Sequence, residues 1–248
     1  MSRTLPRAAL WAGILALWQL ASLWGLPDYL LPPLEIGRDF VRALGTPELY
    51  RHIAASLGRA LPGFAIGSLL GVFLGLLAGV RRGFDETLSP LVFLSYPVPK
   101  IVMLPLFMLW FGIGDLSKIL IIAFACFYPM YINAYYGARA TPRILVWSAR
   151  NMGAGGAQIF RRVVLPAALP YLFAGLRVAL ALSFIVMFAA EMINARSGLG
   201  HLIRDAESSL RFDLMYVALL SIAALGYAGD RLLRLARARA LAWQETHS

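Results

Sequence analysis

The chain has 248 residues, of which 60% are hydrophobic and 15% are charged, and its formal net charge is +10. Soluble domains carry about 25% charged residues, so this composition excludes an ordinary soluble enzyme and indicates a polytopic membrane protein. The positive charge fits anionic membrane lipid better than nucleic acid, because basic and aromatic residues are not interleaved along the chain.

Six apolar segments are long enough to cross a bilayer, which takes about 20 residues. In chain order they cover residues 8–26, 56–80, 88–112, 117–137, 167–192 and 213–230. The first begins like a signal peptide but has no small-residue cleavage site before Pro27, so we expect it to be retained. The pattern predicts an all-α, polytopic bundle of about six transmembrane helices that forms a single domain over residues 1–248.

The second segment repeats glycine every four residues, at Gly63, Gly67, Gly71, Gly75 and Gly79. This spacing places the five glycines along one face of a helix, where a neighbouring backbone can approach closely. We expect this face to be a packing face, and a pore-lining face remains the alternative. Ala78 is expected to lie on another face of the same helix.

The third segment is interrupted by four prolines, at Pro90, Pro97, Pro99 and Pro105. Proline removes a backbone donor and clashes with the preceding turn, so we expect this helix to be bent or locally unwound. Irregular backbone at membrane depth is tolerated where it is buried in protein or lines a cavity. Lys100 lies beside these bends.

The fourth segment contains Cys126, the single cysteine of the chain, which excludes a disulfide framework and a CxxC metal site. We expect Cys126 to be a small core residue. His52, His201 and His247 are far apart and lack the spacing of metal ligands, so each is expected at an interface or in solvent. The sequence therefore predicts no metal site.

A polar and basic loop, WSARNMGAGGAQIFRRVVLPAALP, runs from Trp147 to Pro170 between two apolar segments. Its glycines, at positions 153, 155 and 156, tolerate turn conformations, whereas Pro166 and Pro170 allow a new helix to start. The pattern therefore predicts a helix, a break and a second helix.

The loop carries a spaced set of residues, namely Ser148, Ala149, Gly153, Val163, Leu165 and Pro166. With this set the loop resembles the EAA loop of permeases of ATP-binding cassette (ABC) importers. Trp147 stands where that family usually has glutamate, and Ser148 replaces the first of two alanines. Residues 88–119 and 175–177, Glu191–Met192 and SGLGHLI at 197–203 are similar to the branch for nitrate, sulfonate, taurine and thiamine precursors.

This resemblance implies the type I importer fold, with a second permease subunit, most simply in a homodimer, around a central pathway. It also implies two separate ATPase subunits that dock on the EAA coupling loop, about residues 141–166. The coupling residues would be Trp147, Ser148, Ala149, Gly153, Val163, Leu165 and Pro166. An extracytoplasmic binding protein would deliver the solute, a small organic or inorganic anion or a heterocycle similar to a thiamine precursor.

The chain itself has no element for ATP hydrolysis. A Walker A loop ends in Gly-Lys-Ser/Thr, but the two lysines, Lys100 and Lys118, follow proline and serine. We therefore expect a non-catalytic subunit that binds no cofactor, with ATP and Mg²⁺ used by the partner ATPase. A secondary, ion-coupled transporter is the alternative, although such transporters more often show internal repeats, which this sequence lacks.

Three charged residues in or beside the apolar segments, Lys100, Arg177 and Glu191, are candidates for the translocation pathway. A charge at mid-membrane costs about 2.5 to 3.5 kcal/mol on insertion scales and usually faces a cavity or a partner. Lys100 and Arg177 would attract an anion. The alternative is structural: Arg177 pairs or anchors a helix end, Lys100 snorkels, and Glu191 caps a gate loop.

The distribution of arginine predicts the orientation in a bacterial inner membrane. With both termini in the cytoplasm, that side receives Arg3, Arg7, Arg81, Arg82, Arg139, Arg143, Arg150, Arg161, Arg162, Arg231, Arg234, Arg237 and Arg239. The basic residues on the opposite side are nearly matched by carboxylates. Because cytoplasmic loops carry the excess of Lys and Arg, we expect this orientation.

Overall fold

A computed structural model describes residues 5–22, 24, 27 and 29–242, and every regular element in this part of the chain is helical. The helices are α1 (Leu5–Ser22), α2 (Pro33–Ala43), α3 (Pro47–Val80), α4 (Arg82–Ser95), a 3-10 turn (Lys100–Met103), α5 (Leu104–Phe111), α6 (Asp115–Arg139), α7 (Arg143–Asn151), α8 (Gly156–Ile159), a π turn (Phe160–Val164), α9 (Leu165–Asn194), α10 (Leu199–Ser208) and α11 (Phe212–Ala240). The predicted all-α class is confirmed.

Four of the described helices are long and apolar enough to cross a membrane: α3, α6, α11, and the continuous Gly156–Asn194 that includes α9. A fifth span consists of two helical pieces, Arg82–Ser95 and Lys100–Phe111, that meet at 92°. Within the described residues, α1 provides only a shorter apolar helix, Ala9–Ser22. In the described residues, the six predicted segments therefore appear as four continuous spans, one broken span and one short helix.

The break in the third predicted segment lies at Pro97 and Pro99, between α4 and the 3-10 turn. Pro105 instead lies in the first turn of α5, where its missing N–H would have no helical partner. Pro90 lies inside α4 without ending it. Only the closely spaced pair of prolines therefore breaks the span.

The glycine stripe of α3 packs against α6. An added Cβ at Gly63 would lie 2.7 Å from Ile122 Cβ, and one at Gly79 would lie 2.6 Å from Ala138 Cβ. The two helices run parallel, since the contacts advance together along both. The packing interpretation is confirmed and the pore-lining alternative is wrong. Ala78, expected on another face of α3, is buried as well, in an apolar cluster with Val92 and Tyr128.

The long helix α9 runs antiparallel to α3 and α6 and completes the core. Gly137 of α6 lies against Ala168, and Gly175 of α9 lies against Asn133, so glycine again permits close approach. Cys126 is fully buried here, and its thiol donates to the carbonyl oxygen of Ala179 at 3.3 Å. Cys126 is thus the small core residue that the sequence predicts.

Because α3 and α6 run parallel and α9 runs antiparallel to them, the two ends of the bundle carry different connecting segments. At one end, the α3–α4 junction and the α6 end adjoin residues 141–166, which we call the EAA-like loop. At the other end, α10 and the start of α6 meet residues 195–200, which we call the elbow because they connect α9 to α10. Helix α9 extends from the EAA-like loop to the elbow.

Candidate functional site

The first half of the EAA-like loop is helix α7, which ends in a Schellman motif. Gly153 has φ +82°, and its N–H donates to Arg150 O at 2.9 Å. The N–H of Ala154 donates to Ala149 O at 3.0 Å, and the two alanines share an apolar cluster. A positive φ favours glycine, so the predicted break at Gly153 follows directly from the residue type.

In the second half of the loop, the second helix begins at Gly156, well before Pro166, where the prolines predict a helix start. Helix α8 and the π turn continue into α9 without a break, as one helix over Gly156–Asn194. Pro166 cannot donate a hydrogen bond to the carbonyl four residues earlier, and the wider π turn precedes it. The only free-standing short helix of the loop is therefore α7.

The loop residues singled out in the sequence divide into an exposed group and a packed group. Trp147 is 55% exposed, and Ser148 and Gly153 are also exposed. Ala149 is buried, whereas Val163, Leu165 and Pro166 are half-buried. The packed group anchors the loop to the base of α9, and the exposed group leaves a helical surface open to a partner.

That open surface combines apolar and basic side chains. Ile144, Leu145 and Met152 are exposed near Trp147. Four arginines of the loop are exposed as well and have no ion-pair partner among the described residues, namely Arg143, Arg150, Arg161 and Arg162. Aromatic and Met side chains with Arg are the types enriched at protein–protein interfaces.

At the opposite end, Glu191 lies at the centre of a buried polar cluster. Its side chain is 0% exposed. The carboxylate accepts hydrogen bonds from Arg59 Nη1 at 2.6 Å, Ser56 Oγ at 2.8 Å and the Gly200 N–H at 3.0 Å. Three different donors from α3 and α10 therefore converge on one carboxylate of α9, as a buried charge requires.

Arg59 supplies the charge that compensates Glu191. Its side chain is 6% exposed, and its Nε donates to Asp115 Oδ1 at 2.7 Å at the start of α6. Its Nη1 also donates to the Ser197 carbonyl at 2.6 Å, and its Nη2 donates to Ser197 Oγ at 3.2 Å. Arg59 thus connects α3 to α6, α9 and the elbow.

Arg59 and Ser56 are not among the site residues predicted from the sequence, although the sequence carries a signal for them. His52, Ser56 and Arg59 precede Gly63 at steps of four, three and four residues, so they continue the glycine face of α3. All three are buried. A helix face that changes from glycine to polar residues within an apolar segment indicates buried partners for those polar groups.

The elbow is held by the backbone N–H groups that begin α10. The Gly198 N–H donates to His52 Nδ1 at 3.1 Å, and the Leu199 N–H donates to Ser56 Oγ at 2.8 Å. With the Gly200–Glu191 bond, three consecutive amides are bound by side chains of α3 and α9. Because the first amides of a helix lack internal partners, these bonds cap α10.

His201 adds a titratable group beside the elbow. Its ring lies 6.0 Å from that of His52, so two histidines far apart in the sequence are stacked. His52 is buried, so its expected place at an interface or in solvent is wrong. His247 lies outside the described residues. Arg204 Nη2 lies 2.9 Å from His201 Nδ1, and His201 Nε2 lies 3.1 Å from Asp205 Oδ2. Because Arg204 can only donate, Nδ1 accepts, and Nε2 carries the proton.

Burial lowers the pKa of His201, and Arg204 and His52 act in the same direction, against the carboxylates of Asp205 and Glu191. A protonated His201 would place an N–H against the Arg204 guanidinium. No group of three or more metal-ligating side chains occurs among the described residues.

Lys100 caps the end of α4 at the break of the bent span. Its ammonium donates to the carbonyls of Ser95, Tyr96 and Val98 at 2.9, 2.6 and 2.7 Å. It also lies 3.9 Å from the centre of the Tyr128 ring, a cation–π contact. Lys100 borders an open cavity of about 290 Å³, which Ile185 and other apolar residues of α6 and α9 also line.

Arg177 lies apart from both Lys100 and Glu191. Its Nε donates to Asp230 Oδ1 of α11 at 2.8 Å, and its side chain remains 64% exposed. The structure therefore does not bring the three candidates for the translocation pathway together, and each has a different structural partner. Their role in the pathway stays a prediction.

A bundle of glycine-packed membrane helices, with one broken span and an exposed basic loop at one end, defines a multi-pass membrane permease. Residues 67–241 match the family described as the binding-protein-dependent transport system inner membrane component, and the chain belongs to this family. It is a permease subunit of an ABC importer, as the resemblance of the loop predicts.

Two relatives and one solved structure illustrate this membership. The chain is 38% identical to SsuC of Escherichia coli (strain K12), described as an aliphatic sulfonates transport permease, over 100% of the chain and 96% of the relative. It is 32% identical to the taurine transport system permease protein TauC of the same organism, over 91% and 84%. A chain of the inward-facing MetNI methionine ABC transporter shares the fold, with a TM-score of 0.63, 23% identity and coverage of 75% and 95%.

Proposed function

We propose that two copies of this chain form the translocation pathway of an importer for small anions, and that the EAA-like loop couples them to separate ATPase subunits. The similarity to permeases named for aliphatic sulfonates and taurine supports a sulfonate-type solute. A binding protein delivers the solute outside the cytoplasmic membrane, and the partner ATPase uses ATP and Mg²⁺. Both chain termini lie in the cytoplasm, in accord with the arginine-rich loops.

The exposed surface of α7 is the observation that carries the proposed coupling. Trp147, Ile144 and Met152 present apolar area on a helix that is itself fixed to α9 through Ala149. The arginines around this area suit an acidic groove, because opposite potentials guide association and fix the orientation of docking. A short amphipathic helix of this kind fits a groove on a partner.

The sulfonate-type pathway rests on a separate observation at the broken span. Lys100 places one positive charge beside an apolar cavity of about 290 Å³. A solute with an anionic head and a short aliphatic part matches these two features. The ammonium uses its donors on backbone carbonyls, so its contribution to the pathway is a positive potential rather than a hydrogen bond.

The test of coupling compares two valines in the same loop. Gly153→Val forces a β-branched residue into φ +82°, whereas Gly155→Val occupies an extended position at φ −72° with open space around its Cβ. We expect Gly153→Val to insert normally but to lower recovery of the ATPase in the purified complex at least about fivefold, since a strained non-glycine residue costs about 1–3 kcal/mol. Gly155→Val should bind the ATPase like the natural protein.

The same pair of variants distinguishes the possible outcomes for transport. Loss of ATP-dependent uptake in proteoliposomes with Gly153→Val, and retention with Gly155→Val, supports the coupling role. Full uptake and normal ATPase recovery with Gly153→Val would contradict it. Uptake by the natural permease without any ATPase would instead refute the proposed energy source.

A further inference from the structure

The elbow is connected to the EAA-like loop by a single helix. Gly156–Asn194 contains 39 residues and therefore extends about 58 Å at 1.5 Å per residue. The amino-terminal part of this helix shares an apolar cluster with Ala149 of α7, through Val164 and Ala168. Glu191 lies near the carboxyl end of the helix, and its carboxylate accepts a hydrogen bond from the first turn of α10. A displacement of the loop can thus reach the elbow through continuous helix.

We propose that Arg59 and Glu191 form a latch that positions the elbow and α10 for transport. The latch comprises Arg59, Glu191 and Ser56, and it attaches the elbow to α3 and to the carboxyl end of α9. This inference rests on the proposed importer function, in which the elbow end of the bundle receives the solute. Arg59 and Glu191 are positioning residues, since they act through the elbow backbone.

The geometry of Glu191 explains why a carboxylate occupies this position. Both of its oxygens lie within 3.0 Å of the Ser56 hydroxyl, which donates one hydrogen between them, and the remaining bonds come from Arg59 and the Gly200 amide. A negative charge is favourable at the amino end of α10, where the backbone amides point outward. A neutral apolar residue would leave the Gly200 amide unpaired, and the elbow would lose a bond that ties it to α9.

Arg59 has a second carboxylate partner, which a pair with a purely structural role would not need. It binds the buried Glu191 and also Asp115, whose side chain is 65% exposed. Arg59 therefore keeps an ion pair with α6 when the elbow separates from α3. Breaking a buried pair leaves uncompensated charges, but Asp115 remains as an acceptor for Arg59, so only the Glu191 charge loses its partner when the latch opens.

The close approach around Gly198 shows that the elbow has one tightly defined position. Gly198 has φ +116°, and a Cβ added there would collide with the Glu191 carboxylate. A Cβ at Gly200 would lie 2.5 Å from the Phe188 carbonyl oxygen and 2.7 Å from Glu191 Cβ. Both glycines are thus required for the elbow to reach the carboxylate.

The experiment replaces the whole latch charge pair rather than one partner. Arg59→Met/Glu191→Met leaves no unpaired buried charge, and such apolar replacements are often neutral or stabilising. The control is Arg211→Met/Asp213→Met, which removes an exposed ion pair at the same end of the bundle, with N···O 2.8 Å. Each permease is purified with its ATPase and reconstituted in nanodiscs and in proteoliposomes.

Two measurements are made on these complexes: amide hydrogen exchange at residues 198–200, and ATP hydrolysis with and without the binding protein. We expect the latch variant to assemble and to hydrolyse ATP at the natural basal rate. Its exchange protection at residues 198–200 should fall at least about tenfold, in line with loss of the caps. Stimulation of hydrolysis by the binding protein and solute uptake should be lost, and the control should retain both.

Several results would overturn the proposal. Unchanged protection in the latch variant would show that the charge pair does not hold the elbow. Lost protection with full uptake would show that the elbow position does not matter for transport. If the natural complex hydrolyses ATP without moving solute, the importer proposal fails, whereas the exchange comparison still decides whether the latch holds the elbow.

Discussion

Replacing Gly71 with leucine should separate α3 from α6 and weaken the whole bundle. A Cβ at this position would lie 2.6 Å from both Met130 Cβ and Phe127 O, and 2.9 Å from Tyr131 N. Ordinary contacts of this type are about 3.5–4.0 Å, so the first added carbon alone requires the helices to separate by about 1 Å. Two of the three neighbours are backbone atoms, which cannot move aside by changing rotamer.

The expected cost follows from this forced separation. Overpacking a well-packed core by extra methylenes costs about 1–3 kcal/mol. In lipid, helix association depends on packing, because lipid tails are as apolar as leucine and offer no compensating hydrophobic gain. We therefore expect Gly71→Leu to lower the stability of the bundle by about 3 kcal/mol, the upper end of this range, and to reduce the yield of folded permease strongly.

The matched control is Gly58→Leu on the same helix, where an added Cβ meets no atom within 4 Å. The two variants add identical atoms, so only the position differs. Thermal unfolding in detergent, monitored by the fluorescence of a thiol probe that reacts with buried Cys126, measures both. Equal unfolding temperatures and equal yields would refute the reasoning that the glycine stripe holds α3 against α6.

Three further results are expected. The α10 amides should be fully protected from exchange, after correction for intrinsic rates, above the ordinary histidine pKa of about 6.5, and this protection should decline as the pH falls toward the lowered pKa of His201. His201→Gln should remove the decline. An unchanged decline in this variant would contradict the assignment to His201. Leu210→Gly should raise the unfolding temperature, because Leu210 has φ 54° and glycine relieves about 1 kcal/mol of left-handed strain; a lower temperature would contradict the strain. If their charges attract the solute, Lys100→Met and Arg177→Met should each reduce anion uptake at least about tenfold, which corresponds to about 1.4 kcal/mol, while ATPase recovery stays normal. Unchanged uptake in both variants would show that the two residues have only a structural role.

The elements that the sequence predicts well are those that depend on one residue type. Gly153 ends α7 because a positive φ suits glycine, and the four-residue glycine period identifies the packing face of α3. Pro97 and Pro99 predict a break, but the 92° angle between its two arms depends on how α4 and α5 pack. Prolines mark where a helix can bend, and tertiary contacts determine how far it bends.

The elbow cluster could not be assembled from the sequence in the same way. Arg59 and Glu191 are 132 residues apart, and no local period connects them. A charged residue in an apolar segment indicates that a partner exists, but many carboxylates could satisfy Arg59. The parallel arrangement of α3 and α6 with antiparallel α9 selects Glu191 and Asp115. The sequence alone therefore marks Glu191 as unusual, whereas the fold determines its partner.

The Schellman turn at Gly153 also determines how α7 can meet a partner. Ordering a flexible segment costs about 1–2 kcal/mol of backbone entropy per residue at 25 °C. Helix α7 is already oriented by the Ala154–Ala149 bond and by their shared cluster at the base of α9. In the proposed docking on an ATPase, α7 would therefore lose little conformational freedom, and a displacement of Trp147 would move the base of α9 with it.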